Sequence, residues 1–336
     1  MSGPRRHRTV RRGVGGGVER LRELRRTLRR EDDASAVDRV AAAAERLAVL
    51  MTAGVPAPAA WRHLGADDPS DVVLEAAATA AGDGDPVAPA ISRAIGDQGI
   101  GAAAWSSVAA AWAVASDTGA PMAGALRDLA GALRDDAQLR REVRAVLAGP
   151  RASARLVTAL PGIAVAFGIV LGFDTMRVLV GGPIGWALLA GGSALLWAGA
   201  RWNRALAARA APPGSAPGLE LDLLAIAMSS GASLEAARAA TGRAMRAHLP
   251  AAPRASADIA STIRLATEAG APVADLLRAE AYRRRRTART DGAMRAASLG
   301  VRLMLPLGAC ILPAFVLLGV APLMISVVTG TLGGAA

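Results

Sequence analysis

The stretch LVTALPGIAVAFGIVLGF, residues 156–173, runs for eighteen residues without a charge. As a helix rising about 1.5 Å per residue it spans roughly 27 Å, close to the hydrocarbon thickness of a bilayer. A second uncharged run, PIGWALLAGGSALLWAGA, occupies 183–200, and the nine residues Asp174–Gly182 between the two hold one Asp and one Arg. Two spans joined by a short polar turn predict a transmembrane hairpin. A third uncharged stretch, Leu303–Thr329, carries Pro306, Pro313 and Pro322. Prolines are tolerated in membrane helices when neighbouring groups satisfy the freed carbonyls. One kinked span over about 303–323 with a short tail is therefore expected, a tight re-entrant hairpin being the alternative. Pro161, Pro306 and Pro313 are the expected kinks.

Arginine placement orients these spans. Arg151 and Arg155 precede the first, Arg201, Arg204 and Arg209 follow the second, and Arg283–Arg286, Arg289, Arg295 and Arg302 precede the third. The hairpin turn holds only Arg177, balanced by Asp174. Basic flanks stay on the cytoplasmic side. The N-terminus is thus expected in the cytoplasm and the C-terminus outside, in a multi-pass chain. Trp186 falls near the outer boundary and Trp197 and Trp202 near the inner one, where amphipathic rings are enriched.

Composition narrows the chemistry. The chain has 336 residues, a net charge of +11 and no lysine, so all 39 basic residues are arginine. A Walker A motif needs its lysine on the phosphates, and a Schiff base needs a lysine amine; neither can form in this chain. The single cysteine, Cys310, lies in an apolar run and permits no disulfide within the chain. His7, His63 and His248 lie far apart in dissimilar contexts, which predicts no histidine metal site. Aromatics are 3% of residues, too few for a base-stacking surface, so no nucleic-acid partner is expected. Ser193 and Ser326 have no His or Asp near them in a span, which argues against hydrolysis within the bilayer. No enzyme activity and no cofactor are expected.

Outside the spans the pattern is helical. Residues 1–34 read as a disordered basic arm, with eleven arginines in the first 30 and the glycine run Gly13–Gly17, contact with anionic lipid headgroups being the second reading. No apolar segment follows that cluster, so no cleavable signal peptide is expected. Residues 35–150 form the first cytoplasmic helical domain. Ser35 and Asp38 resemble a capping box, and the helix they open is predicted to stop at Gly54 with Pro56 beyond. Short helices are predicted near 57–64, 70–81, 87–96 and 101–117. Gly119 and Pro121 then mark a stop and a restart. The next helix places Leu126, Leu129, Leu133, Leu139, Val143 and Val146 on one apolar face and leads through Gly149-Pro150 to the first span. After the hairpin (156–200), residues 212–218 read as a linker, 219–300 as a second cytoplasmic helical domain and 303–329 as the third span.

The pattern recurs. LAVLMTAG (47–54) aligns with LAIAMSSG (224–231), and ASDTGAPMAGALR (115–127) with ATEAGAPVADLLR (266–278). Each copy ends in a charged helix followed by an apolar span bearing Leu-Pro. This is the mark of an internal duplication. Gly54 and Gly231 close the first motif. In the second, Gly119 and Gly270 suit a left-handed residue after a helix, and Pro121 and Pro272 suit the first turn of the next. Asp117 and Glu268 precede those glycines by two residues, as solvated carboxylates or as ligands to a neighbour or a cation. Small-residue surfaces such as Gly181-Gly182 and Gly191-Gly192-Ser193 permit close helix packing.

These motifs, and the order domain, two spans, domain, one span, resemble the type II secretion system F family over about 36–329. GPRASARL (149–156) and LPLGACILPAFVLLGVAPL (305–323) resemble its tight-adherence (Flp) pilus branch. Typical members carry a Gly-Glu pair before the turn glycine, where this chain has Ser116-Asp117 and Thr267-Glu268. The resemblance implies an all-α inner-membrane platform with two cytoplasmic helical bundles in tandem and about three transmembrane helices. It implies a scaffold that couples a cytoplasmic secretion ATPase to extraction of pilin or pseudopilin. It further implies homo-oligomers, other platform subunits as partners, and contact with the lipid bilayer. A small oligomeric membrane transporter or channel is the rival expectation, weakened because such proteins place ionisable residues in their spans.

Overall fold

A computed structural model describes residues 33–96, 100–170, 180–210, 217–250, 252 and 256–333. The basic arm up to residue 32, most of the hairpin turn with Asp174 and Arg177, and the linker up to residue 216 lie outside them. The described residues are helical and contain no strand.

The first copy contributes α1 (Asp33–Thr52), α2 (Ala57–Asp67), α3 (Val72–Asp83), α4 (Val87–Ala94), α5 (Ile100–Thr118) and α6 (Met122–Val170). Next comes α7 (Pro183–Ala210). The second copy contributes α8 (Leu219–Met228), α9 (Leu234–His248), α10 (Ser256–Ala269) and α11 (Val273–Arg302). The chain then continues through α12 (Met304–Pro306), π1 (Leu307–Ile311), α13 (Leu312–Phe315), π2 (Val316–Val320) and α14 (Ala321–Gly333).

Local chemistry explains the boundaries. The glycines expected to stop helices do so: Gly54, Gly119, Gly231 and Gly270 have φ of 88°, 70°, 81° and 65°. At Gly119 the next amide, Ala120, returns to the Ala115 carbonyl at 3.0 Å, and at Gly270 Ala271 returns to Ala266 at the same distance. Both are Schellman closures, which need a left-handed residue that lacks a Cβ penalty. Asp71 caps α3 by accepting from the Val73 and Leu74 amides at 2.9 and 3.3 Å. The capping box expected at Ser35 does not form, because α1 is already helical from Asp33. Both residues lie inside that helix, and Asp38 instead accepts from Arg141 on α6.

Helices that carry the repeated motifs pack in similar pairs. In the first copy α1 lies along α6, and in the second α8 lies along α11; the turns at Gly119 and Gly270 fold α5 onto α6 and α10 onto α11. The copies also pack on each other through α5 with α8 and α9, and through α6 with α11. Buried residues from both, including Leu47, Trp61, Leu126 and Leu129 from one and Leu221, Leu224 and Leu277 from the other, form one contiguous core. The stretches 35–150 and 219–300 thus share a core. The α8 sequence LELDLLAIAM is apolar on every side and sits within it, as expected of a helix without a polar face. On α6, Leu126, Leu129, Leu133, Leu139 and Val143 are buried as predicted, but Val146 is exposed, being past the end of the core.

The apolar stretches form a separate group. α6 runs unbroken through Gly149-Pro150 and Pro161 to Val170, so the first uncharged run is helical as far as it is described. α7 starts at Pro183, as expected, but continues beyond 200 to Ala210. The third stretch does not double back. It is helical to Gly333, with irregularities placed by its prolines. A proline cannot donate to the carbonyl four residues earlier and clashes with it. A break at Leu303 precedes Pro306, π1 precedes Pro313, and π2 precedes Pro322. Widening the preceding turn relieves the clash in place, so a straight ladder and a reversal are both avoided.

Among the described residues, two helices are long and apolar enough to cross a membrane, Pro183–Leu206 and Val273–Val328, with 17% and 28% of their most apolar windows buried. A core helix of a soluble protein would be mostly buried. Here Ile184, Trp186, Leu312 and Met324 project outward from these two helices, as Ile163, Phe167 and Val170 do from α6. The inward faces meet at glycines: a Cβ on Gly192 would lie 2.3 Å from Leu318 Cγ, and one on Gly199 would lie 3.1 Å from Cys310 Cβ. The small residues at 191–192 therefore serve packing within one chain, whereas nothing lies within 4 Å of Gly182.

Candidate functional site: paired stems and their joint

The two charged helices that lead to the apolar stretches, α6 and α11, pack side by side and parallel. Arg278 Nε donates to Asp128 at 2.9 Å, Arg285 Nε lies 3.8 Å from Asp135, and Arg289 Nε donates to Glu142 at 2.9 Å. The acids on α6 recur every seven residues, the period at which parallel helices present flanking charges to one another. Closer to the apolar end, Leu139, Val143, Leu299 and Leu303 pack together with Leu206 of α7. A Cβ at Gly292 would meet Leu139 at 3.1 Å, so the stems approach closely there.

At the top of the stems lies a cleft of about 450 Å³, lined by Asp135, Asp136, Glu142, Tyr282, Arg285 and Arg289 among others. Beside it is the chain's most consequential ion pair. Asp222, the one charge buried on α8, accepts from Arg285 Nη1 at 2.5 Å, and both side chains are largely removed from water. Burial pushes the Asp222 carboxyl up to about 6, against the opposing pull of the Arg285 guanidinium. Arg285 thereby joins α11 to α8 and faces α6 through Asp135. On α6 itself Asp136 and Arg140 form a second buried pair at 2.8 Å, where burial again raises the carboxyl and Arg140 opposes it. Glu142 shows the reverse: hydrogen bonds from Arg289 and Gln138 hold it below the ordinary carboxylate range.

The residues singled out by sequence fall in several places. Gly54, Gly119, Gly231 and Gly270 are helix ends, each with open space where a Cβ would point. Pro121 and Pro272 immediately precede α6 and α11, at the starts of the two stems. Asp117 pairs with Arg243 of α9 at 3.1 Å and so ties the first copy to the second. Glu268 is exposed and makes no ion pair with a described residue. Asp117 and Glu268 are not brought together, and no cluster of three metal-ligating side chains occurs among the described residues. Pro306 and Pro313 flank π1, while Pro161 lies within α6. Sequence reading missed Asp222 and Arg285. The available signal was Asp222, set between leucines in a helix that is apolar apart from it and Glu220; a buried acid demands a partner. It also missed Gly218, treated as linker: its φ is 83°, and a Cβ there would sit 2.9 Å from the Ala281 carbonyl oxygen. Only glycine lets α8 start so close to the α11 backbone. Across the copies, Ser92 Oγ and His248 Nδ1 are hydrogen-bonded at 2.7 Å.

Residues 43–170 match the family model described as type II secretion system (T2SS), protein F. No curated protein and no solved structure matches the chain.

Proposed function

We propose, because residues 43–170 match the family model of type II secretion system protein F, that the chain is an inner-membrane platform protein of a type II secretion or tight-adherence pilus machine. In this reading it is a scaffold and not an enzyme, and it uses no cofactor. Its cytoplasmic helices engage a secretion ATPase, and its three membrane-crossing segments pass the ATPase's motion to pilin or pseudopilin in the bilayer. The chain acts as a homo-oligomer with other platform subunits, in the plasma membrane, with its N-terminus cytoplasmic and its C-terminus outside.

The supporting observation is mechanical continuity. α6 runs 49 residues from the shared core, at Leu126 and Leu129, to the outward-facing apolar residues Phe167 and Val170. α11 starts in the same core at Leu277 and continues, after Leu303, into the other apolar helix. Ion pairs and a leucine seam hold these two helices in register. A push on the bundle would therefore reach both membrane segments as one rigid displacement. The apolar runs contain no charged residue, which leaves a transporter or channel without a polar path.

The test is capture of the secretion ATPase by the full-length chain in detergent, together with piliation and secretion in a deletion strain. Loss of piliation or secretion on deletion, with the ATPase retained on the purified chain, is expected. Unchanged assembly and no captured ATPase would overturn the reading. Reporter fusions at residues 178 and 213 should report opposite sides of the membrane.

A further inference from the structure

Charge is distributed along this molecule in a way that membrane orientation alone does not require. The helical bundle, residues 33–142 and 217–291, holds 23 acidic residues against 19 arginines. The membrane-side lengths of the helices, residues 143–170, 183–210 and 292–333, hold eight arginines and no acid. The bundle is thus net negative, and the zone beneath it is purely positive.

The structure gathers part of that positive zone into one band. Val143, Leu206, Leu299 and Leu303 pack together and so fix α6, α7 and the end of α11 at one level. Arg144, Arg204 and Arg302 stand within two residues of those positions. Arg201, Arg204, Arg295 and Arg302 are exposed. Among the described residues no carboxylate pairs with any of these four, in contrast to Arg278, Arg285 and Arg289 one or more turns higher. Arg201 lies over the Trp197 ring at 5.9 Å, with Trp202 beside it and also exposed. Tryptophan with arginine at the edge of an apolar helix belongs at headgroup depth, where the ring lies among the glycerols and the guanidinium meets phosphate.

We propose that this arginine collar is a binding surface for anionic phospholipid headgroups of the cytoplasmic leaflet. The guanidinium fork matches a phosphodiester in two parallel hydrogen bonds, and no acid on the collar competes for it. Binding there fixes the depth at which the stems leave the bilayer. The proposal rests on the membrane-spanning reading above.

Native mass spectrometry of the full-length chain in detergent with phosphatidylglycerol or phosphatidylcholine tests it. Wild type should retain phosphatidylglycerol over phosphatidylcholine, and 0.5 M salt should erase the preference. Loss of each arginine should weaken retention by about fivefold, so the triple variant R201Q/R204Q/R302Q should lose the preference. Equal retention of both lipids by wild type would overturn the proposal without requiring any variant to fold. So would full preference in the triple variant, or displacement of phosphatidylglycerol by millimolar inorganic phosphate, which would make the site one for free anions. A chain that stays soluble without detergent would sink the membrane reading itself, a result distinct from a detergent-requiring chain with no lipid preference.

Discussion

Arg278 on one stem donates to Asp128 on the other at 2.9 Å, and the duplicate of Arg278 in the first copy is Arg127, the neighbour of its own partner. The two copies therefore lie side by side with their stems almost in register. Arg285 and Asp135, also 150 residues apart, repeat the relation one heptad further along. Arg278–Asp128 is half exposed, and Arg285 lies 3.8 Å from a half-exposed Asp135, so each pair is worth at most about 1 kcal/mol. Their larger effect is on register, because a slip of the stems would set like charges together.

The swap D128R/R278D should accordingly leave thermal stability near wild type, while D128R alone, which places two arginines in contact, should lower it by about 1 kcal/mol. Unfolding of the detergent-solubilised chain, followed by circular dichroism, measures both. A swap no better than the single variant would mean that the pair does not set register.

Asp222 and Arg285 differ in kind. Removing one partner of a buried pair strands the other charge, at a cost of about 3–5 kcal/mol. R285Q should destabilise far more than R278Q. The pH dependence has a definite sign. The folded Asp222 carboxyl titrates near 6, above its ordinary 3.8, so between those values the folded state holds the proton more tightly than the unfolded state. The Asp222 contribution to stability is full below about pH 4 and is lost as pH rises through 6. The stability of wild type relative to D222N should fall over that window and stay flat above it. A difference between the two that does not vary with pH would show that the carboxyl is not held at a raised value.

How much of this was legible in the chain depends on the range of the interaction. The turns at Gly119 and Gly270 were readable, because a left-handed residue followed by proline is a local necessity. The uncharged runs and the α6 face through Val143 were readable from periodicity. The Asp222–Arg285 bond spans 63 residues and has no local pattern; Asp222 announced only that some cation must lie nearby. Gly218 looked like linker because nothing in the sequence reveals that the Ala281 backbone lies against it. The π turns were half legible: Pro313 and Pro322 required some irregularity, but widening the preceding turn was one of several ways to supply it. Ser35 misled because a good capping residue also tolerates a helix interior when the helix begins earlier.

Close packing in the apolar helices can be tested at adjacent glycines. A Cβ on Gly192 would press into Leu318, whereas one on Gly191 would sit at 3.7 Å from Leu317, an ordinary contact. G192A should cost about 1–3 kcal/mol through overpacking, and G191A should be close to neutral. L318A should rescue G192A by vacating the space. Thermal unfolding in detergent reads all three, and equal effects at 191 and 192 would contradict the packing described.

The duplicated turns carry the last prediction. Gly119 and Gly270 have open space around them, so an added methyl meets no neighbour and its cost comes from the backbone alone. At φ of 70° and 65° an L-residue pays about 1 kcal/mol in the left-handed region. G119A and G270A should each destabilise by about that amount. Gly124, inside α6 with nothing within 4 Å of a Cβ, should respond in the opposite sense, because alanine is favoured over glycine in a helix interior by up to about 1 kcal/mol. The contrast separates conformation from packing. If all three changes shifted the unfolding temperature the same way, left-handed geometry would not be what glycine supplies at the heads of the stems.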